Sequence, residues 1–521
     1  MLLLLKYLQS MEYEIEYLDK GGSVTKNLEE LHKVRVRSTK NKTNYAVHSH
    51  IYLKDPEEGK VYGKIAIAEL PNDTVLEKLT SQGSSESLIL TIDRAAIPNK
   101  TSIDKIDTND ELIHHRGITE HSFTSTGAKL NYHWPIFQKL QDTGYGSIIR
   151  ATLTLHQRCS SKCPYCSTIN RKSDDEISLD EAKEFIKKLY FDQADFNKER
   201  FRDYNDAYKE ISGSDIRLRS VILSGGGQPN LWPHFEELLE WISNETDLKV
   251  GLITNGFPKN VNEDVYKKFE WIRVSITPAS ASSFYPDGKF DKQYIPSTIL
   301  KRDKAIKVGF SYVYGPWTEK NELKNIDNAA KTLGFDYVRV LTDCTLTRSS
   351  QLEAHRLLSR ALRDVALIDS KGIQKSRTFH QLKYHASSDE AKQIWPSGQC
   401  MLQTYNVFWD TTGHKENGTS YCYPCDSVTV LTNEEVIGEV DQDSARAFDP
   451  NIWGTVTNDK VENLFRHKVE PFFDPRTHCK GCLFAVNNKK AGKLASMNKN
   501  EVSEIMKAIS TSEKPHHIEF P

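Results

Sequence analysis

The sequence predicts an α/β protein: a partial (β/α)6 barrel with a β-rich N-terminal accessory domain and a small cysteine-rich C-terminal domain. Three observations carry this expectation. From Ile148 to Leu341, strand-like runs alternate with helix-like ones, which implies right-handed βαβ units and a parallel sheet. Six such strands are too few to close an eight-stranded barrel. Before Ile148 the readable runs are strands, and beyond residue 395 five of the nine cysteines fall between Cys400 and Cys482. A chain of 521 residues is too long for one ordinary core. The expected division is 1–147 for the accessory domain, 148–350 for the barrel, 351–395 for a helical connector and 396–521 for the cysteine-rich domain.

In the first segment, Val34 to Arg37, Tyr45 to Leu53, Val61 to Ala68 and Leu88 to Ile92 read as strands by alternation and β-branched content. Asn99 to Glu111 is polar and reads as a linker. The barrel opens with a strand at Ile148 to Leu155. A helix over Leu179 to Phe191 starts from Ser178 as N-cap, with Glu181 three residues on. Residues 192 to 217 read as a polar, charged insertion. Strands then follow at Val221 to Ser224, Val250 to Thr254, Ile272 to Ile276, Val308 to Tyr314 and Tyr337 to Leu341. The helices between them are expected at Pro233 to Ser243, Val261 to Phe269, Ser297 to Lys304 and Glu322 to Leu333. In the connector, Leu352 to Leu367 and Ser388 to Ile394 have helical spacing, and Tyr405 to Gly413 reads as a hairpin strand and turn.

Composition narrows the setting. With 38% hydrophobic and 27% charged residues the chain is globular, and a net charge of −2 gives no global basic field for nucleic acid or an anionic membrane. No basic, aromatic-interleaved tract points to nucleic acid. The opening apolar run, Met1 to Leu5, is too short for a signal sequence or a membrane span, and Met11 offers an alternative start. Clustered cysteines in a long chain read as metal ligation more readily than as disulfides. The expected setting is a reduced cytoplasm, with no membrane partner.

The chemistry concentrates in Cys159-Ser-Ser-Lys-Cys163-Pro-Tyr-Cys166. Three thiolates on one loop can grip one metal centre but cannot complete the four cysteines an iron–sulfur cube normally takes, which leaves one iron open. A zinc knuckle and a disulfide pair are the alternatives. Zinc wants a fourth ligand nearby, and His156 lies at the end of the expected strand. The C-x3-C-x2-C spacing, with an aromatic residue before the last cysteine, resembles the signature of the radical S-adenosylmethionine (radical SAM) superfamily. The resemblance implies a 4Fe–4S cluster on Cys159, Cys163 and Cys166 whose open iron holds S-adenosyl-L-methionine. Reductive cleavage would give a 5′-deoxyadenosyl radical that abstracts a substrate hydrogen atom, with a flavodoxin- or ferredoxin-type protein as electron donor. Chemistry in such barrels gathers at the C-terminal ends of the strands, and the cysteine loop follows strand one.

The second strand ends in Ser224-Gly225-Gly226-Gly227-Gln228-Pro229, which resembles the Gly-Gly-Glu-Pro run that contacts the methionyl amino group in that family. Gln228 stands where the family has Glu, so the resemblance holds better for the backbone of Gly226 and Gly227 than for this side chain. Asn255 ends the third strand, and Arg273 and Ser275 lie in the fourth. These positions resemble family contacts to the ribose and methionyl carboxylate; ordinary strand-end hydrogen bonding is the alternative. Tyr165 is expected to cover the cluster or the adenine side.

Cys400, the hairpin, Cys422 and the distant Cys479-Lys-Gly-Cys482 pair resemble the Twitch or SPASM extensions of radical SAM enzymes, in the single-cluster Twitch layout. That layout implies a second 4Fe–4S auxiliary cluster on Cys400, Cys422, Cys479 and Cys482. Cys425 departs from it and either replaces Cys422 or stands beside the cluster. A structural zinc on the pairs Cys422/Cys425 and Cys479/Cys482 is the other reading.

Near the barrel mouth, Cys344 is a candidate hydrogen-atom donor, and Tyr312, Tyr314 and Asp343 are candidates for orienting substrate or moving protons. The bland reading of Cys344 is a buried small residue. The resemblance implies an oxidoreductase acting on a peptide or protein side chain by cross-linking, dehydrogenation or epimerisation. A sugar, aminocyclitol or other small-molecule substrate is the alternative, and a non-catalytic iron–sulfur sensor or scaffold is a reading of another class.

Overall fold

The chain divides into two compact units, Met1–Glu111 and Leu112–Pro521. The computed structural model describes 13–18, 33–38, 50–54, 61–66 and 87–91 of the first unit. In the second it describes residues 123 to 521 except 124–126, 162, 164, 167, 169–173, 257–261, 277–298, 300–304, 347, 370–373, 382–399, 419, 427–457, 470–483 and 512–513. The expected linker at Asn99 to Glu111, the helix near Ser297 to Lys304 apart from Ile299, the helix at Ser388 to Ile394, Cys479 and Cys482 lie outside the described residues.

In the first unit, β1 (Tyr13–Leu18), β2 (Lys33–Ser38) and β5 (Ser87–Thr91) form an antiparallel sheet in the order β1-β2-β5. β3 (His50–Lys54) and β4 (Val61–Ala66) form a separate hairpin. The register sets Ile15 opposite Val36 and Val36 opposite Leu88, so apolar positions two apart coincide across three strands. β1 was not among the expected strands, although Tyr13, Ile15 and Tyr17 alternate with Glu14 and Glu16 in the strand period.

The second unit is built on β6 (Arg150–Leu153), β7 (Ser220–Leu223), β8 (Lys249–Thr254), β9 (Trp271–Ile276), β10 (Lys307–Tyr314) and β11 (Tyr337–Thr342). These six pair in sequence order and in parallel. This is the expected partial barrel, with three additions. β12 (Thr378–His380) pairs in parallel with β11. On the other edge, β13 (Asn406–Asp410) pairs in parallel with β6, and β14 (Tyr421–Tyr423) pairs antiparallel with β13. The hairpin of the cysteine-rich segment is therefore part of the barrel sheet. Three residues of β12 are too few to announce a strand by periodicity.

The longer described helices are α1 (Trp134–Thr143), α2 (Leu179–Lys187), α3 (Gln193–Arg200), α4 (Arg202–Ser212), α5 (Phe235–Glu245), α6 (Glu322–Thr332), α7 (Arg348–Asp364), α8 (Asn458–Arg466), α9 (Ala485–Ala495) and α10 (Lys499–Thr511); α2, α5, α6, α7 and α8 pack on the outer core, and α1, α4, α9 and α10 on a second one. α2 starts with the expected capping box, Ser178 Oγ accepting from Glu181 N–H and Glu181 reaching back to the Ser178 N–H. The insertion expected at 192–217 folds into α3 and α4. Buried Gln193, Asn197 and Asn205 bond neighbouring backbone groups, so polar residues do the anchoring that apolar periodicity usually signals. Residues Glu263–Lys268 form a 3₁₀ helix where an α-helix was expected. None of the described helices is long and apolar enough to cross a membrane.

Alternation along the strands sorts the sheet's two faces. Ala151, Leu153, Ile272, Val274, Phe310, Val338 and Val340 pack into the core under the helices. Arg150, Arg273, Ser275, Ser311 and Arg339 therefore face the opposite, inner side. Gly251 and Gly309 leave room there for large rings, since a Cβ on either would sit 2.2–2.3 Å from the ring atoms of Trp271 and Tyr337 respectively. Residues 516–521 close the end of the barrel near the strand starts. Phe520 packs on Trp271 at 5.4 Å, His516 and Tyr337 flank Phe123 at 5.5 and 4.7 Å, and His133 Nε2 bonds the Ile518 carbonyl at 2.8 Å.

Candidate functional site

β6 delivers the chain to the C-terminal edge of the sheet, and residues 154–158 fix it before the first cysteine. His156 is buried. Its Nδ1 accepts from the Arg158 backbone N–H at 3.0 Å, so Nε2 carries the proton and donates to the Gln228 carbonyl at 2.8 Å. Burial pushes its pKa down to about 4 and keeps the ring neutral. Gln157 donates through Nε2 to Asp410, Thr411 and Thr412 at 3.1–3.2 Å. Buried Asp175 accepts from the Gly413 and Lys415 N–H groups at 2.8 and 3.0 Å. The turn after β13 thus braces the start of the cysteine loop. Gln157 and Asp410 are 253 positions apart, and no local sequence signal links them.

The loop itself is held at three strand ends. Thr168 Oγ1 lies 3.3 Å from Cys166 Sγ and donates to the Gly226 carbonyl at 3.1 Å, beyond β7. Asn255, beyond β8, donates to the Ser160 and Ser161 hydroxyls at 3.0 and 3.1 Å. Tyr165 packs 5.0 Å from Trp317, beyond β10. The Cys166 N–H donates to the Cys163 carbonyl at 3.1 Å, and the Ser161 N–H to Cys159 Sγ at 3.4 Å. All three cysteines are partly exposed. Among the described residues, no three His, Cys, Asp or Glu side chains are gathered to hold a metal ion. The donor chemistry nonetheless fits a cluster: three cysteines share one braced loop.

The glycine run packs against this loop's origin. Gly225 has φ +108°, in the region that favours glycine. A Cβ on Gly226 would sit 1.5 Å from Gln157 Oε1, and one on Gly227 2.1 Å from the Arg158 carbonyl. Gln228 is buried and occupied: Oε1 accepts from the Asn255 N–H at 2.8 Å, Nε2 donates to Thr254 and Asn230, and its own N–H donates to the Arg158 carbonyl at 2.6 Å. Its side chain ties the ends of β7 and β8 together.

Arg273 lies lower on the inner face, with Nε 3.4 Å from the Tyr337 hydroxyl and Nη2 3.3 Å from the Phe123 carbonyl. Ser275, two residues on, is level with Ser311 of β10. Tyr312 departs from the expectation of a residue at the mouth. It packs in the outer core, where its hydroxyl donates to Glu322 at 2.9 Å and meets Thr318 at 3.0 Å; burial first, and Glu322 beside it, push its pKa up. Tyr314 packs against the same outer core. Both are an even number of residues from Phe310, so the pleat turns them away from the interior. Asp343 accepts from the Thr345 N–H and hydroxyl at 2.8 and 2.7 Å, shaping the turn after β11, and burial raises its pKa. Cys344 follows it and is partly exposed.

The described cysteines of the second set divide between two cores. Cys422 sits opposite Trp409 in the outer core, and burial pushes its thiol pKa up. Cys400 and Cys425 belong to a different core, with Met401, Phe484 and Leu494 around α9. There the Cys400 thiol points to Asn488 Oδ1 at 3.6 Å, and the same oxygen accepts from the Met401 N–H at 2.8 Å. Asn406 joins this region to the barrel interior, donating to the Pro424 carbonyl and accepting from Arg150 Nε, both at 2.7 Å.

No family model matches the chain, and no curated protein sequence matches it. Among solved structures it is similar to Streptococcus suis SuiB bound to precursor peptide SuiA, at 12% identity over 60% of this chain and 66% of that one, with a TM-score of 0.35. It is also similar to anSMEcpe with bound AdoMet, at 12% identity over 70% of this chain and 99% of that one, TM-score 0.36. A third similar structure is methylornithine synthase (PylB), at 14% identity over 46% and 66%, TM-score 0.26. The chain spans 66% and 62% of the length of the two SuiB chains it matches.

Proposed function

We propose that this chain is a radical SAM enzyme that binds a 4Fe–4S cluster at Cys159, Cys163 and Cys166. The observation that carries the reading is a loop with three partly exposed cysteines, braced at the C-terminal ends of a parallel partial barrel. Bound there, the cluster would supply the electron that cleaves S-adenosyl-L-methionine to a 5′-deoxyadenosyl radical. The chain's own residues have separate tasks. Thr168, Asn255 and Tyr165 hold the loop over the strand ends. His156, neutral and fixed by two hydrogen bonds, locks the glycine run to the loop's origin. In this reading the backbone of Gly226 and Gly227, with Asn255 beside them, would meet the cofactor's polar groups.

Our reading of the net reaction is an oxidative modification of a peptide or protein side chain. A second metal centre would be held by Cys400 and Cys425, completed by Cys479 and Cys482 in a Twitch/SPASM-like extension, as an auxiliary 4Fe–4S cluster or a structural zinc. What supports Cys425 over Cys422 is that it shares a core with Cys400. The test is anaerobic reconstitution with iron and sulfide, metal counting, and a 5′-deoxyadenosine assay with dithionite and S-adenosylmethionine. Deoxyadenosine, with about eight irons, or about four irons and one zinc, is the expected result. A chain that takes up no iron at Cys159, Cys163 and Cys166 sinks the reading.

A further inference from the structure

Among the described residues, four cations gather at the inner face of the barrel and its closed end, with Asp426 and Glu519 as the acidic side chains in electrostatic reach of them. Lys129, Arg150, Arg273 and Arg339 are all buried. Arg150 has polar company in Asn406 and the Pro521 carbonyl, and Arg273 reaches Tyr337 and Phe123. Arg339 is different. It is 9% exposed, its Nε has no hydrogen-bond partner, and no ion pair reaches it among the described residues. Burying an unpaired guanidinium is expensive, so natural proteins retain one where something else supplies the counter-charge.

Its surroundings point to what that is. Register sets Ser275, Ser311 and Arg339 side by side on β9, β10 and β11. Arg273 is one inward position lower on β9. The Arg339 guanidinium lies within electrostatic reach of Arg273 below and of Cys344 and Asp426. Burial, then Arg273, pushes the Arg339 pKa down to about 9, which is the direction expected for a cation facing another cation. Hydroxyls and a planar donor fork are the groups that recognise an oxyanion.

We propose that Arg339, backed by Arg273 and flanked by Ser275 and Ser311, is an oxyanion seat inside the barrel that takes a carboxylate or phosphate of the substrate. The inference rests on the reading of the chain as an enzyme whose substrate enters the barrel, and it narrows that substrate to an anionic one. An acidic group seated beside β11 would be held below the cysteine loop and near Cys344.

The experiment uses the full reconstituted chain and three salts at equal ionic strength: sodium acetate, sodium phosphate and sodium chloride. Thermal midpoints are recorded for the wild type, Arg339→Met and Arg339→Lys. Acetate or phosphate should raise the wild-type midpoint above chloride by about 2 °C or more. A larger shift with acetate assigns a carboxylate, and a larger shift with phosphate a phosphoryl group. Arg339→Met should lose the shift and melt above the wild type in chloride, because it removes an uncompensated buried charge. Arg339→Lys should keep at most a small part of the shift, since it lacks the fork. The proposal is overturned if neither anion shifts the wild type, or if both variants keep the full shift. It is also overturned if saturating S-adenosylmethionine abolishes the shift, which would make the seat the cofactor's. Deoxyadenosine is assayed on the same wild-type preparation. Its absence with the anion shift intact would remove the radical reading and leave the seat; its presence with no shift would do the reverse.

Discussion

The two cysteine regions of this chain solve opposite problems. Cys159, Cys163 and Cys166 are partly exposed and sit on a loop whose position comes from contacts at three strand ends, two of them hydrogen bonds and one an aromatic contact. Cys400, Cys422 and Cys425 are buried in apolar cores, and position there comes from packing and from the β13–β14 hairpin. A centre that must admit a ligand needs thiols open on one side; a centre that only has to stay closed can be walled in. The difference gives each region its own signature under mutation.

The largest effect should come from the exposed loop. Cys159→Ala removes one of three thiols and leaves no substitute within the loop. Deoxyadenosine formation should fall to background and about four irons per chain should be lost, while the thermal midpoint changes little. Retained deoxyadenosine would mean the loop does not hold the reactive centre.

Next comes the buried region, where the two candidates for one ligand position can be set against each other. Cys425→Ala should strip the second centre, losing about four irons or one zinc. Cys422→Ala should keep the metal and lower stability by about 1 kcal/mol through lost packing alone. The reverse pattern would restore the layout expected from spacing. Spacing cannot decide this point. Cys422 and Cys425 are three positions apart, and only the pleat of β14, which turns Cys422 toward Trp409, separates them.

The same contrast marks what was legible in the sequence. The six barrel strands could be read because each is a short apolar run bounded by turn residues. The cysteine loop and the glycine run stand out as candidates in the sequence because the residues of each lie within a few positions. What could not be read depends on distance along the chain or on facing. The hairpin joins the barrel edge through pairing of β13 with β6 and through Gln157 with Asp410. Arg339 looks like one more charged strand residue until register places it beside Ser311, facing in. Gln228 looked like a weakened cofactor residue, yet it is a tie between two strand ends.

A third prediction uses pH to probe the bracing rather than the thiols. His156 and His133 are both buried neutral, with pKa values pushed down by burial to about 4. The unfolded chain binds their protons at the ordinary histidine pKa near 6.5. Between those values the unfolded state holds more protons, so stability is complete above about pH 6.5 and is lost as pH falls toward 4. Each ring contributes a slope of about 1.4 kcal/mol per pH unit inside that window. His156→Gln, which can still donate to the Gln228 carbonyl, should flatten about half of the slope the two rings give together. An unchanged slope would place the titration elsewhere.

The smallest expected effect on deoxyadenosine formation separates Tyr312 from the site it was expected to serve. Its hydroxyl donates to buried Glu322, whose carboxylate also accepts from the Glu319 N–H at 3.0 Å. Thr318, which accepts from the Gly315 N–H at 3.1 Å, completes the group and holds the turn between β10 and α6. Tyr312→Phe leaves the ring in the core and removes one hydrogen bond to a buried carboxylate, which should lower stability by about 1–3 kcal/mol. Because the hydroxyl lies on the helix side of β10, deoxyadenosine formed per folded molecule should not change. If that rate fell at a temperature where the variant is fully folded, the turn after β10 would have to reach the reaction. Trp317 offers the physical route, since it leaves the same turn and packs on Tyr165 of the cysteine loop.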